Sequence, residues 1–207
     1  MSGSKLRLHR HPLSGHSHRV ELLLSMLGVE AELVTVDLLK GAHKAPEFLR
    51  MNPLGQVPVL EDGDLVLADS NAILVHLAHK FDQARWLPTG SAAQVQRWLS
   101  IAAGPLASGP ATARLITVFG APYNATEVIA RSHTLLQIVN AELAAHAFLV
   151  GDAPTLADVA CYAYIAHAPE GGVSLAAYPE IRRWLAAVES LPGFVPMQAT
   201  AAGLQAA

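Results

Sequence analysis

Apolar residues at Val20, Leu23, Leu24 and Leu27 recur at helical spacing and stop at Gly28, which predicts a first helix closed by a glycine. Lys5–His9 precedes it as a short strand, joined through the turn-like run His11-Pro12-Leu13-Ser14-Gly15, and Glu32–Leu38 follows with the β-branched enrichment of a second strand. Pro46, Phe48, Leu49 and Met51 mark a short helix. Val57–Glu61 and Leu65–Leu67 alternate around Asp62-Gly63, a hairpin signal. Ile73, Leu74, Leu77 and Ala78 then return to helical period. A βαβ unit, a helix, a hairpin and a helix make an α/β domain with a mixed four-stranded sheet.

The pattern changes after residue 82. Residues 1–82 carry 18 of the 31 charged side chains and seven of the ten histidines, whereas the remainder is alanine-rich and helical in period. The chain therefore divides into an α/β unit over 1–82, a linker over 83–91 containing Pro88 and Gly90, and an all-α unit over 92–207. Within the latter, Gly104-Pro105 and Gly109-Pro110 should kink or break the helical stretch Ala92–Phe119. Ala125–His146 reads as a long helix, and Thr155-Leu-Ala-Asp158 as a capping box opening another, to about His167. Pro179 precedes a last helix over Glu180–Ser190, and the alanine-rich tail after Ala199 is expected to fray.

Composition narrows the possibilities. A length of 207 residues and 52% apolar content fit a globular chain, and a net charge of −3 supplies no electrostatic footprint for nucleic acid or an anionic membrane. No apolar run approaches a bilayer span, and the polar start MSGSKLRLHRH lacks a signal core, so a cytoplasmic protein is expected. Cys161 is the single cysteine, which excludes an internal disulfide and a C-x-x-C oxidoreductase. His76 and His79 stand one turn apart with no third ligand evident, so no metal is expected.

The most informative stretch is Asn52–Ser70, NPLGQVPVLEDGDLVLADS. Pro58 opens a strand without donating a ladder hydrogen bond, and Asp69-Ser70 sets an acid and a hydroxyl at a helix start, groups suited to an ammonium and a carboxylate. The NPxGxVP loop, the acid-Ser pair and the Thr155–Asp158 capping box, in that order and at these separations, resemble the cytosolic glutathione S-transferase family from Lys5 to Phe194. The resemblance implies a thioredoxin-like N-terminal domain, an all-α C-terminal domain contributing the electrophile pocket, and a homodimer. It also implies a cis bond at Val57-Pro58 and glutathione as co-substrate of a detoxifying transferase.

The string LSGHSHRV is similar to the first loop of serine-type members of the theta and zeta classes, which makes Ser14 the group that activates the thiol. On spacing alone Ser14 reads as a turn or cap residue rather than a reactive one, and Ser17, its rival and one turn closer to the helix, reads as the N-cap of the first helix. The resemblance further implies His43 and Lys44 at the glycyl carboxylate, Gln56 at the glycyl end, Val57 pairing its backbone with the cysteinyl moiety beside Pro58, and Asp69 and Ser70 holding the γ-glutamyl amine and carboxylate. Lowering a thiol pKa by ~2 units takes roughly 2.7 kcal/mol. A hydrogen bond to the anion supplies ~1.5–3 kcal/mol and a helix terminus ~0.3–1, so no general base is needed. His11–Leu13 and the kinked segment Pro105–Arg114 are expected to line the electrophile pocket, with Arg114 facing either a polar co-substrate or a helical acid. Asp158 reads as a capping acid and Cys161 as an inert core thiol. The alternatives are a glutathione-dependent dehalogenase, peroxidase or isomerase on the same site, or a non-catalytic glutathione-binding member of the fold.

Overall fold

The structure, a computed structural model, describes residues 5–202. β1 (Leu6–Arg10) pairs in parallel with β2 (Ala31–Thr35), the crossover being α1 (Gly15–Met26). α2 (Pro46–Met51) starts on a proline, whose missing N–H costs a first turn nothing. β3 (Val59–Asp62) runs antiparallel to β1, and β4 (Leu65–Ala68) folds back on it through Gly63, at φ +62°. The order β2-β1-β3-β4 makes β3 an interior strand, so Val57 and Pro58 approach the sheet just before its ladder begins. The Val57-Pro58 peptide is cis.

α3 (Ser70–Phe81) leads to the stretch read as a linker, which contains a helical turn of its own, α4 (Gln83–Trp86). Trp86 is fully buried and pins the segment to the core. α5 (Ala92–Ala103) stops at Gly104-Pro105 as the pattern predicts. Gly109-Pro110 behaves differently: Ala107–Ala111 widens into a π turn that takes Pro110 inside it, and Thr112 Oγ1 donates to the Ala107 carbonyl at 2.9 Å. The helix resumes as α6 (Thr112–Phe119), followed by α7 (Ala125–Leu143), α8 (Leu156–Ala166) and α9 (Pro179–Glu189).

α8 is apolar on nearly every face and buried along its length, which places it at the centre of the helical half. One continuous core joins the halves, with Leu8, Leu23 and Leu74 from the sheet side in the same cluster as Leu99, Ile165 and Trp184. At the head of α8, Asp158 accepts the Thr155 amide at 2.8 Å, the Leu149 amide at 2.9 Å and Trp184 Nε1 at 2.8 Å. Burial pushes its carboxyl up, and these donors oppose the shift. Every acceptor site of Asp158 thus serves the fold. Cys161, one turn on, is buried and its thiol is pushed up to about 12. The tail is tied down further than its composition suggests, because the Thr200 amide donates to Glu170 Oε1 at 2.7 Å; residues 203–207 lie outside the described residues.

Candidate active site

The carboxyl end of β1, the loop before β3, the start of α3 and the α5–α6 bend converge on one cavity of about 710 Å³. Ser14, His43, Lys44, Gln56, Val57, Pro58, Asp69 and Ser70, drawn from four separate stretches, all line it. The loop is shaped by Asn52, which is buried: its Nδ2 donates to the Gln56 carbonyl at 2.8 Å and its Oδ1 accepts the Leu54 amide at 3.1 Å. Lys44 Nζ donates to the Leu54 and Gly55 carbonyls at 3.3 and 3.2 Å, joining the 3-10 turn Ala42–Lys44 to that loop.

Ser14, not Ser17, is the N-cap of α1. Its Oγ accepts the Ser17 amide at 3.2 Å from an extended backbone, φ −90° and ψ 116°. The helix begins at Gly15, earlier than its apolar spacing indicates, so Ser17 falls inside the first turn. There it is fully buried, and its Oγ accepts the His11 amide at 3.2 Å. Ser17 is therefore spent on the turn and does not line the cavity, whereas Ser14 does. Capping uses a lone pair of Ser14, and its O–H has no acceptor among the described residues.

Two further features distinguish the α1 terminus from the sequence reading. Tyr164, brought in on α8, packs against the first turn of α1; burial pushes its hydroxyl pKa up, and the Gly15 and His16 amides oppose the shift. A Cβ on Gly15 would lie 2.8 Å from the Tyr164 ring, so the approach requires glycine. At the same terminus the Ser17 amide donates to Ser14 Oγ and the His18 amide to the Ser14 carbonyl. The Ser14 hydroxyl and the helix dipole both favour an anion there. His16 packs edge-on to Tyr164 with ring centroids 5.0 Å apart, and burial, aided by Arg19, lowers its pKa to about 3. His18 is held at about 4 by burial. Both rings are neutral near pH 7.

Opposite Ser14, Asp69 caps α3 by accepting the Asn71 and Ala72 amides at 2.9 and 3.0 Å. Its φ of +71° is a non-glycine strain of ~1–3 kcal/mol, held at the cavity wall with Asp69 exposed and Ser70 buried. The other wall is apolar: Leu13, Ala107, Ala111, Leu115 and Phe119, with Leu39 and Leu54 exposed at the mouth. The bend was legible at Pro105–Arg114, but Leu115 and Phe119 lie beyond it. Arg114, 2% exposed, pairs through Nε with the helical acid Glu170 and donates through Nη1 to the Leu13 carbonyl at 2.6 Å, and it also reaches the cavity lining. No cluster of three metal-ligating side chains occurs among the described residues, and His76 instead lies with Nε2 2.8 Å from Asp62.

Residues 4–79 match the model of the glutathione S-transferase N-terminal domain and residues 122–192 that of the C-terminal domain. A glutathione S-transferase from Zea mays is 38% identical over 205 residues, spanning 91% of each chain. The chain belongs to the glutathione S-transferase family. A crystal structure of a glutathione S-transferase from Pseudomonas fluorescens superposes with a TM-score of 0.89 at 33% identity, covering 95% of this chain and 100% of that one. A glutathione transferase from Populus trichocarpa superposes at 0.81 with 29% identity, covering 91% and 95%. The family relatives do not single out one class. A zeta-class protein from Euphorbia esula is 45% identical over 84 residues, only 41% of this chain and 38% of its own. No helix among the described residues is long and apolar enough to cross a membrane.

Proposed function

We propose that the protein is a glutathione transferase of the serine type, which binds glutathione in this cavity and activates its thiol through Ser14 for attack on a small electrophile. The observation that carries this reading is the Ser14 hydroxyl: it lines the cavity, accepts from its own helix, and has its proton left to donate. A hydroxyl in that state stabilises a thiolate without a base, in keeping with the neutral His16 and His18. Asp69 and Ser70 take the γ-glutamyl ammonium and carboxylate, the Val57 backbone pairs with the cysteinyl unit, and Gln56, His43 and Lys44 serve the glycyl end. The apolar wall from Leu13 to Phe119 receives the electrophile.

Dimerisation belongs to the same proposal. The groove formed by Leu67, Val75, Leu99 and Ala103 beside exposed Leu65 and Val66 is a face for a second copy, and the expected compartment is the cytoplasm. Thermal melts test the binding claim. Glutathione at a hundredfold excess over its Kd should stabilise by about 2.7 kcal/mol, roughly 5–11 °C for a chain of this size. Asp69→Ala should lose most of that shift. No shift at millimolar glutathione contradicts the proposal.

A further inference from the structure

Arg19 is an arginine in the wrong place for a structural ion pair. It sits on α1 with no exposed surface, beneath the start of α3. Its Nη1 donates to Ser70 Oγ at 3.2 Å and to Asn71 Oδ1 at 2.8 Å, while Nε and Nη2 have no partner among the described residues. Its guanidinium lies 5.9 Å from the centre of the Tyr164 ring. Among the described residues it makes no ion pair. The Asp69 carboxylate, which caps α3 through the Asn71 and Ala72 amides, acts on its charge only from beyond ion-pair distance. A buried cation left this way costs folding free energy, and such a cost is kept where a ligand supplies the counter-charge.

We infer that Arg19 is a positioning residue for ligand binding: it fixes Ser70 as a hydrogen-bond donor, and the carboxylate that Ser70 receives is the counter-ion the buried guanidinium lacks. The hydrogen-bond directions follow from the chemistry. A guanidinium only donates, so the Ser70 oxygen accepts from Arg19 and its proton must go elsewhere. In the unliganded protein that proton has His16 Nδ1 at 3.3 Å, a ring kept neutral and able to accept. A carboxylate entering the cavity is a stronger acceptor and takes it over. Asn71, held by Arg19 at Oδ1 and donating through Nδ2 to the Leu99 carbonyl at 2.9 Å, ties this arrangement to α5.

The inference rests on the glutathione reading and predicts which ligand carboxylate depends on Arg19. Calorimetry on wild type, Arg19→Met and Arg19→Lys should compare glutathione with its analogue lacking the γ-glutamyl α-carboxylate, 4-aminobutanoyl-cysteinylglycine. Arg19→Met should weaken glutathione about tenfold, the ratio equivalent to ~1.4 kcal/mol, and leave the analogue unchanged. Its unliganded melting temperature should be equal to or above that of wild type, since an uncompensated buried charge is gone. Arg19→Lys keeps the charge but cannot bridge Ser70 and Asn71 as the planar fork does, and should lose less. It reads the same ratio if Arg19→Met does not fold. Equal loss of both ligands, or glutathione affinity retained with a lowered melting temperature, overturns the role of Arg19 alone. Wild-type protein that binds neither ligand overturns the glutathione reading and this role with it.

Discussion

Glu170 is the residue whose removal should separate stability from catalysis most cleanly. It is 1% exposed and receives Arg114 Nε and the Thr200 amide, with His167 Nδ1 3.3 Å from Oε1. Burial pushes its carboxyl up, but the Thr200 amide and Arg114 outweigh this and hold it below the ordinary range. Glu170→Ala leaves the Arg114 charge buried without its partner, a loss of about 3–5 kcal/mol. At ~2–4 °C per kcal/mol for a chain this long, the melting temperature should fall by roughly 6–20 °C. Replacing both partners, in Arg114→Met/Glu170→Met, removes the stranded charge and should recover much of that loss. Turnover should not recover. Arg114 Nη1 is the donor that holds the Leu13 carbonyl, one peptide before the Ser14 hydroxyl. Differential scanning calorimetry and steady-state turnover with a standard aryl halide, run on the single and double variants, give both readouts. A double variant with wild-type turnover would refute the positioning argument. A Glu170→Ala protein melting within a degree or two of wild type would refute the energetic one.

Other consequences are more local. Ser14→Ala should lose about 1 kcal/mol with the α1 cap, while Ser14→Gly should lose only a few tenths, yet both should lose turnover by about 10–100-fold. Retained turnover in Ser14→Gly would remove the hydroxyl from the mechanism. His18, buried, with Nε2 2.8 Å from the Val195 carbonyl, is held at about 4 against an ordinary 6.5. The unfolded chain takes up that proton first, so this contribution is complete above pH 6.5 and is lost as pH falls toward 4. By pH 5 the loss is roughly 2 kcal/mol. Denaturant titrations of His18→Gln should show a flatter pH dependence over that window, and parallel profiles would contradict it. Gly15→Ala drives a methyl into the Tyr164 ring and should lower both stability and turnover; melts and rates at wild-type levels would show that the contact is dispensable.

The sequence carried what is local or punctuated. Helical spacing, the Asp62-Gly63 turn and the Thr155–Asp158 box each act within a few residues, and each element they imply is present. The eight residues proposed for the site stand out in the sequence because their loop and cap chemistry has a recognisable order, and the structure draws all eight to the lining of one cavity. The reading of Ser17 as the cap is corrected to Ser14, since both are good cap residues and the apolar period of α1 does not say which turn starts it. Arg19, Tyr164 and the Arg114–Glu170 pair were also hidden. Their partners lie tens of residues away, Ser70 being 51 positions from Arg19 and Glu170 56 from Arg114, and no periodic pattern encodes such pairs. Alanine-rich helices also conceal how close they pack. Nothing in the composition of α8 announces that Tyr164 will reach the first turn of α1.

The central claim is that Ser14 lowers the pKa of a bound glutathione thiol. Its most direct test is the ultraviolet absorbance of the thiolate, titrated against pH with glutathione saturating the wild-type protein and Ser14→Ala. In the wild type the bound thiol should titrate ~1–2 units below the ordinary ~8.5, returning most of the way in the variant. A bound thiol that titrates like free glutathione, or a depressed value unchanged by Ser14→Ala, would contradict it.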